Sequence, residues 1–319
     1  MPVSDLTSHI LLFGKNGQVG SELAAVLPQF GEVIALSREE VDLASREDLR
    51  RTIQQLRPQL IVNAAAYTAV DQAEKDEAAA LAVNSEAPAV MAEEAARMGA
   101  SLIHYSTDYV FDGTKTTPYV ENDIPNPLNV YGKTKFSGEE AVRRSGASHL
   151  IFRLSWVYAT EGRNFLLTIL RLATQRDELR IVRDQFGAPT LNVQIAMATA
   201  EILRQLKRPD GSFRFSGASG TYHMTAAGLT TWYEFSKAIL EETSAGQSRL
   251  PWLTRALGGL PLRTSRVIPV TTGEYPTPAH RPAYSVLSNS LLKKTFGIEL
   301  PDWRVQLHGV FDGCNDAVA

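Results

Sequence analysis

Hydrophobic positions in the first half of the chain come as short unbroken runs, not as alternating ones. His9-Ile10-Leu11-Leu12-Phe13 has a strand's length and stops abruptly at Gly14. A run with no polar face predicts a strand buried on both sides, as in a parallel sheet. Residues 33–36 and 60–62 repeat the signal, and 101–105 and 150–154 continue it. Between the runs, 21–27 has helical character and 78–98 is rich enough in alanine for one long helix. This alternation predicts an α/β fold: a Rossmann-type doubly wound parallel sheet with helices on both faces and ligands beyond the carboxyl ends of its strands. After about residue 158 the pattern loosens. Helices are predicted over 164–176, 193–206 and 232–244 and strands over 179–182 and 220–224, punctuated by Pro209-Asp210-Gly211-Ser212 and a proline-rich 275–282. The expected division is a sheet domain over 1–158 and a smaller α/β lobe over 159–319, with room for some of the lobe's segments to return to the main sheet.

Charge and cysteine content narrow the classes of function. With 32 basic and 35 acidic residues the formal charge is −3, so no basic field favours nucleic acid. Cys314 is the single cysteine, which excludes an intrachain disulfide and a cysteine-built metal site and fits a reducing cytoplasm. No apolar run approaches the roughly 20 residues that span a bilayer, and residues 1–8 lack the apolar core of a signal peptide. A cytoplasmic enzyme without membrane or nucleic-acid partners is expected.

Candidate chemistry sits just after the predicted strands. Gly14-Lys15-Asn16-Gly17-Gln18-Val19-Gly20 links the first strand to a helix. Gly14 suits a tight turn, Gly17 a close approach to a pyrophosphate, and Gly20 close packing of helix on strand, so Gly14, Asn16, Gly17, Gln18, Val19 and Gly20 are candidate cofactor contacts. The second strand ends in Ser37-Arg38 instead of a carboxylate, which suits a 2′-phosphate and favours NADPH, with NADH still possible. An exposed loop arginine neutralised by Glu39 and Glu40 is the plainer alternative. Asp42 and Leu43 stand near the adenine position, although Asp42 or Ser45 serves equally well as a helix cap. Ser106-Thr107-Asp108 follows another strand, where Thr107 can donate to a carbonyl oxygen or the three can form a turn. Tyr131 and Lys135 share one face of a helix that begins nearby. A neighbouring ammonium stabilises a phenolate and is expected to bring the tyrosine toward working pH as a proton donor.

The glycine turn, Asn63-Ala64-Ala65-Ala66, Ser106-Thr107-Asp108 and Tyr131-Gly132-Lys133-Thr134-Lys135 resemble the marks of the extended short-chain dehydrogenase/reductases. Longer stretches, among them 63–71, 104–111, 127–135, 153–158, Asp184-Gln185-Phe186-Gly187-Ala188-Pro189-Thr190 and 275–282, resemble the dTDP-4-dehydrorhamnose reductases within that superfamily, over nearly the whole chain. The resemblance implies NADPH-dependent reduction of the 4-keto group of a dTDP-sugar, the last step toward dTDP-L-rhamnose, an activated sugar of cell-surface polysaccharide. It implies Thr107, Tyr131 and Lys135 as the catalytic residues, and Ala64, Ala65 and Ala66 beside the cofactor with Tyr131 and Lys135. Thr68, Val70, Ser106, Asp108, Trp156, Asn164, Gln185, Thr190 and Arg281 are the implied substrate contacts. For Trp156 a half-buried core aromatic, and for Arg281 a loop arginine held by carbonyls or a carboxylate, remain open. His223 reads as a packed strand residue.

Some relatives resemble metal-bridged dimers, and there this chain departs. It keeps Glu22 but aligns Val193 and Arg304 where carboxylates would be needed, and neither replaces an oxygen ligand for magnesium. The expectation is therefore no metal, and a monomer or a homodimer bridged some other way. Other readings share these residues: a nucleotide-sugar epimerase, dehydratase or different reductase, or a non-catalytic relative like the regulatory subunit of methionine adenosyltransferase.

Overall fold

The computed structural model describes residues 9–215, 217–245 and 250–313, so Cys314 lies outside the described residues. Strands β1 (His9–Phe13), β2 (Glu32–Leu36), β3 (Leu60–Asn63), β4 (Ser101–Thr107) and β5 (Ser148–Leu154) join the Gly220–His223 strand in one six-stranded sheet. All its pairings are parallel, in the order Gly220–His223, β5, β4, β3, β1, β2. The unbroken apolar runs have the predicted consequence: β3 and β4 are buried at every position. Helices Gln18–Val26 and Asn192–Leu206 cover one face through Leu23, Ile195 and Ile202, and helices Arg46–Leu56, Ala87–Met98 and Val130–Arg144 the other through Leu49, Val90 and Val142. The chain leaves β1 for β2 on one side and returns to β3 on the other. That reversal opens the crevice in which α/β sheets bind ligands.

The predicted single helix over 78–98 is broken. A helix Glu77–Leu81 passes through a wide π turn, Ala82–Glu86, before Ala87–Met98 begins. Pro88 has no N–H to give to the Asn84 carbonyl, so the ordinary i→i−4 ladder cannot run through it. The Asn84 side chain instead exchanges hydrogen bonds with the Tyr67 backbone, at 2.8 and 3.1 Å.

The second lobe is small and assembled at long range. Glu178–Val182 pairs in parallel with Arg266–Val270, a strand the pattern did not predict, and a core of Tyr158, Leu166, Phe235 and Trp303 packs beneath them. Helices Pro251–Leu257, Ser290–Phe296 and Trp303–Asp312 were likewise not anticipated. Helix Asn192–Leu206 and the Gly220–His223 strand belong physically to the main sheet. The boundary at 158 thus marks only the first crossing between the two bodies. Among the described residues no helix is long and apolar enough to cross a membrane.

Candidate active site

The carboxyl ends of β1, β3, β4 and β5 open into one cavity of about 1740 Å³, walled on the far side by the second lobe. At its nucleotide end Gly14 has φ 89°, and a Cβ there would sit 2.7 Å from the Ala65 nitrogen. Only glycine passes between β1 and the Ala64-Ala65-Ala66 turn. Gly17 caps helix Gln18–Val26 without a side-chain bond, leaving the first-turn N–H groups free of side-chain partners at the cavity wall beside Asn16, Gln18 and Val19. That is the donor arrangement a diphosphate needs. Gly20 is not on the wall; it lies against the Gly14 carbonyl and holds the helix to the turn.

Past β2, Ser37, Arg38, Asp42 and Leu43 line the same end. Glu40 accepts from Lys15 Nζ at 2.6 Å and from the Ser37 N–H at 2.7 Å. The Lys15 bond is the main cause holding its carboxyl down at about 2. Asp42 accepts from the Ala44 N–H at 2.9 Å, and Ser45, not Asp42, caps the following helix.

The catalytic end is made of buried side chains around a half-buried Tyr131. Asn129 accepts from the Gly132 N–H at 2.8 Å and so starts helix Val130–Arg144, which puts Tyr131 and Lys135 on the cavity wall. The Tyr131 phenol lies beside Thr107. The Thr107 hydroxyl in turn donates to Asp108 at 3.1 Å and accepts from the Tyr109 N–H at 3.2 Å. Ser155 donates to the other Asp108 oxygen at 2.9 Å. Burial nevertheless pushes the Asp108 carboxyl up to about 6 against these bonds. Ser106 is buried beside Glu139.

One expectation changes here, while Thr107, expected to donate to a carbonyl oxygen, lies on the cavity wall with its hydroxyl bonded to Asp108. Burial pushes the Tyr131 phenol up to about 12, opposed by the neighbouring Thr107 hydroxyl and aided by the Asp108 charge, so the expected lowering by Lys135 is not seen. The lysine turns the other way. Its Nζ donates to the Tyr105 carbonyl at 2.5 Å, and burial brings it down to about 8 with Glu139 opposing.

At the substrate end Trp156 adopts φ 46°, uncommon for a bulky residue and a sign of strain at a site. It lies flat on Trp232, with centroids 3.4 Å apart and planes 6° apart, and its other neighbour is Gly187, where a Cβ would come within 2.3 Å of the indole. Thr68 and Val70 share the wall. Asn164 and Gln185 reach it too, but Asn164 caps helix Phe165–Ala173 by accepting from the Leu167 N–H, and Gln185 donates to Thr272. Thr190 is off the wall; its hydroxyl donates to the Ala188 carbonyl and accepts from the Ala226 N–H. Arg281 faces the cavity while forking onto Asp71 at 3.1 and 2.8 Å. His223 is fully buried in its strand.

Glu22 accepts from Asn192 at 3.1 Å, Val193 packs on the second-lobe core, and Arg304 is exposed. Among the described residues no three or more His, Cys, Asp or Glu are grouped to hold a metal ion. Sequence reasoning missed Lys15, Asp71, His104, Tyr109 and Trp232 as parts of this site. Tyr109 stands next to Ser106-Thr107-Asp108 and was findable from that neighbourhood. Trp232 reaches Trp156 from 76 positions away in the chain, and no local signal marks it.

The family described as "RmlD substrate binding domain" matches residues 8–315. The dTDP-4-dehydrorhamnose reductase of Burkholderia thailandensis is 51% identical over 295 residues, covering 92% of this chain and 95% of that one. The crystal structure of a dTDP-4-dehydrorhamnose reductase from Clostridium acetobutylicum superposes with a TM-score of 0.82 at 33% identity, covering 95% of this chain and 98% of that one. The enzyme of the same name from Bacillus anthracis, solved in complex with NADP, also gives 0.82, at 30% identity and covering 96% and 99%.

Proposed function

Because the chain belongs to the RmlD substrate binding domain family, we propose that it is a dTDP-4-dehydrorhamnose reductase. It reduces the 4-keto group of dTDP-6-deoxy-L-lyxo-4-hexulose to dTDP-L-rhamnose. The observation that carries this reading is one cavity with a diphosphate cradle at one end and the Thr107-Tyr131-Lys135 group at the other.

The nicotinamide cofactor supplies the hydride. It fits the wall, because the close passage at Gly14 and the uncapped helix start leave room and donors where a side chain would block them. Tyr131 releases its phenolic proton to the alkoxide forming at the former carbonyl oxygen, and Thr107 holds the phenol in place. The Thr107 hydroxyl beside the phenol favours its ionised form and so eases release of the proton. Lys135 supplies a proton to the phenolate left behind. Trp156, backed by Trp232, offers the hexose a flat wall, and Thr68 and Val70 border it.

NADPH is the preferred cofactor. Ser37 and Arg38 line the nucleotide end of the cavity, and Glu40, whose charge opposes a 2′-phosphate, is held by Lys15 and the Ser37 N–H. Arg281 meets the substrate diphosphate from its place on Asp71. No metal takes part, the enzyme works in the cytoplasm, and any dimer forms without a metal bridge. Following NADPH absorbance with and without the dTDP-4-keto sugar tests the reading. Oxidation that does not depend on the sugar, or none with it, refutes it.

A further inference from the structure

The contact between His104 and Lys135 has no part in that reaction as described. His104 is fully buried on β4, with Nδ1 3.1 Å from the Asn63 side-chain nitrogen and Nε2 3.5 Å from Lys135 Nζ. Asn63 is also buried, and its Oδ1 accepts from the Ala65 N–H at 3.2 Å. A backbone N–H can only donate, so the carboxamide oxygen must face Ala65 and the NH2 must face the ring. An NH2 also only donates, so Nδ1 must offer its lone pair. Burial, reinforced by the Lys135 charge and by His149 on β5, keeps the imidazole neutral. A neutral ring with Nδ1 bare carries its proton on Nε2.

That N–H points at the lysine. An ammonium has three donors and no acceptor, so it cannot receive the bond, whereas a neutral amine has a lone pair that can. The Tyr105 carbonyl takes a hydrogen from Nζ in either form. Glu139, one turn further along the helix, is the group that favours the charge, but its oxygens already hold Arg153 at 2.9 and 2.7 Å and Arg143 at 3.0 Å.

Resting on the reductase reading, we propose that His104 is a positioning residue for Lys135, its proton held on Nε2 by Asn63 so that the ring stabilises the neutral amine. In turnover the Tyr131 O–H bond breaks as its proton joins the substrate oxygen. The phenolate is then reprotonated, and the Lys135 ammonium that gives up a proton to make good the loss becomes the amine that the His104 N–H is placed to hold. Water returns the lost proton to the lysine before the next cycle. The arrangement makes Lys135 a ready proton donor.

Nitrogen-15 NMR of histidine- and lysine-labelled full-length protein, without cofactor or sugar, reads both groups. Signals are assigned by their loss in His104→Phe and Lys135→Met. The expected result is neutral His104 protonated on Nε2 and Lys135 titrating at about 8. In Asn63→Asp an acceptor-only carboxylate draws the ring proton to Nδ1, the bare Nε2 then accepts from the ammonium, and the Lys135 midpoint climbs by at least about one pH unit. A wild-type ring protonated on Nδ1 overturns the proposal whether or not the variant folds, and so does a flipped tautomer that leaves Lys135 unmoved. The turnover assay is separate: no sugar-dependent oxidation together with the expected tautomer sinks the reductase reading and not this proton arrangement.

Discussion

At the nucleotide end of the cavity the groups that meet a ligand are mostly backbone: helix-start N–H groups beyond Gly17 and the turn held open by Gly14. At the catalytic end they are side chains, buried or half-buried, each with a polar neighbour: Tyr131 beside Thr107, Thr107 bonded to Asp108, Lys135 to Tyr105. Backbone donors need no charge and survive many substitutions around them. Buried side chains act through shifted protonation, so each depends on the burial and partners of the next. Substitution should therefore change rate and pH behaviour at the catalytic end and only binding at the nucleotide end.

Removing the proton donor should break the catalytic end most completely. Tyr131→Phe is expected to lower kcat about 100-fold or more while cofactor affinity, read by protein fluorescence, stays close to wild type. A phenylalanine enzyme within a few fold of wild type would dissolve the distinction. Lys135→Ala should weaken turnover and cofactor binding together.

Asp108 gives the next effect, on stability. Its carboxyl lies higher in the folded chain than in an unfolded one, at about 6. The folded state therefore holds that proton more tightly. Its contribution is complete below about pH 4 and is lost as pH rises through about 6, an effect on the order of 3 kcal/mol at most. Asp108→Asn should flatten this part of the stability profile in denaturant titrations, and an unchanged slope would mean the carboxyl is not raised.

A smaller effect is expected at the indole wall. Gly187→Ala puts a methyl where the Trp156 ring lies, so the stack on Trp232 must shift. KM for the sugar should rise roughly tenfold, the size of a lost apolar contact, with the near-ultraviolet circular dichroism of the paired indoles altered and NADPH binding unchanged.

Arg38→Ala probes the nucleotide end and should cost a few fold in NADPH affinity while leaving NADH nearly untouched, about 1 kcal/mol for one exposed charged contact. Equal dissociation constants for the two cofactors in the wild type would remove the basis for the preference. The smallest expected effect is none: EDTA followed by excess magnesium should alter neither initial rate nor mass by light scattering, since Glu22 is bonded to Asn192 and belongs to no group of three or more metal-binding side chains among the described residues. Chelator-induced dissociation with loss of activity would contradict this.

The sequence by itself determined the sheet, the glycine turn and the start of the Tyr131 helix, because each follows from local rules. Unbroken apolar runs bury strands on both sides, a glycine passes where a Cβ cannot, and Asn129 caps the helix that sets Tyr131 and Lys135 one turn apart. Spacing along a helix says which residues share a face. It does not say what lies opposite that face. That Lys135 turns to Tyr105 and His104, that the Thr107 hydroxyl donates a hydrogen bond to Asp108, and that burial raises Tyr131 were decided only when β4 and the helix packed together and excluded water. The same holds for Arg281 on Asp71 and Trp156 on Trp232, pairs 210 and 76 positions apart. Protonation and pairing in a buried site depend on the whole surrounding volume, and a linear pattern carries only the part contributed by near neighbours.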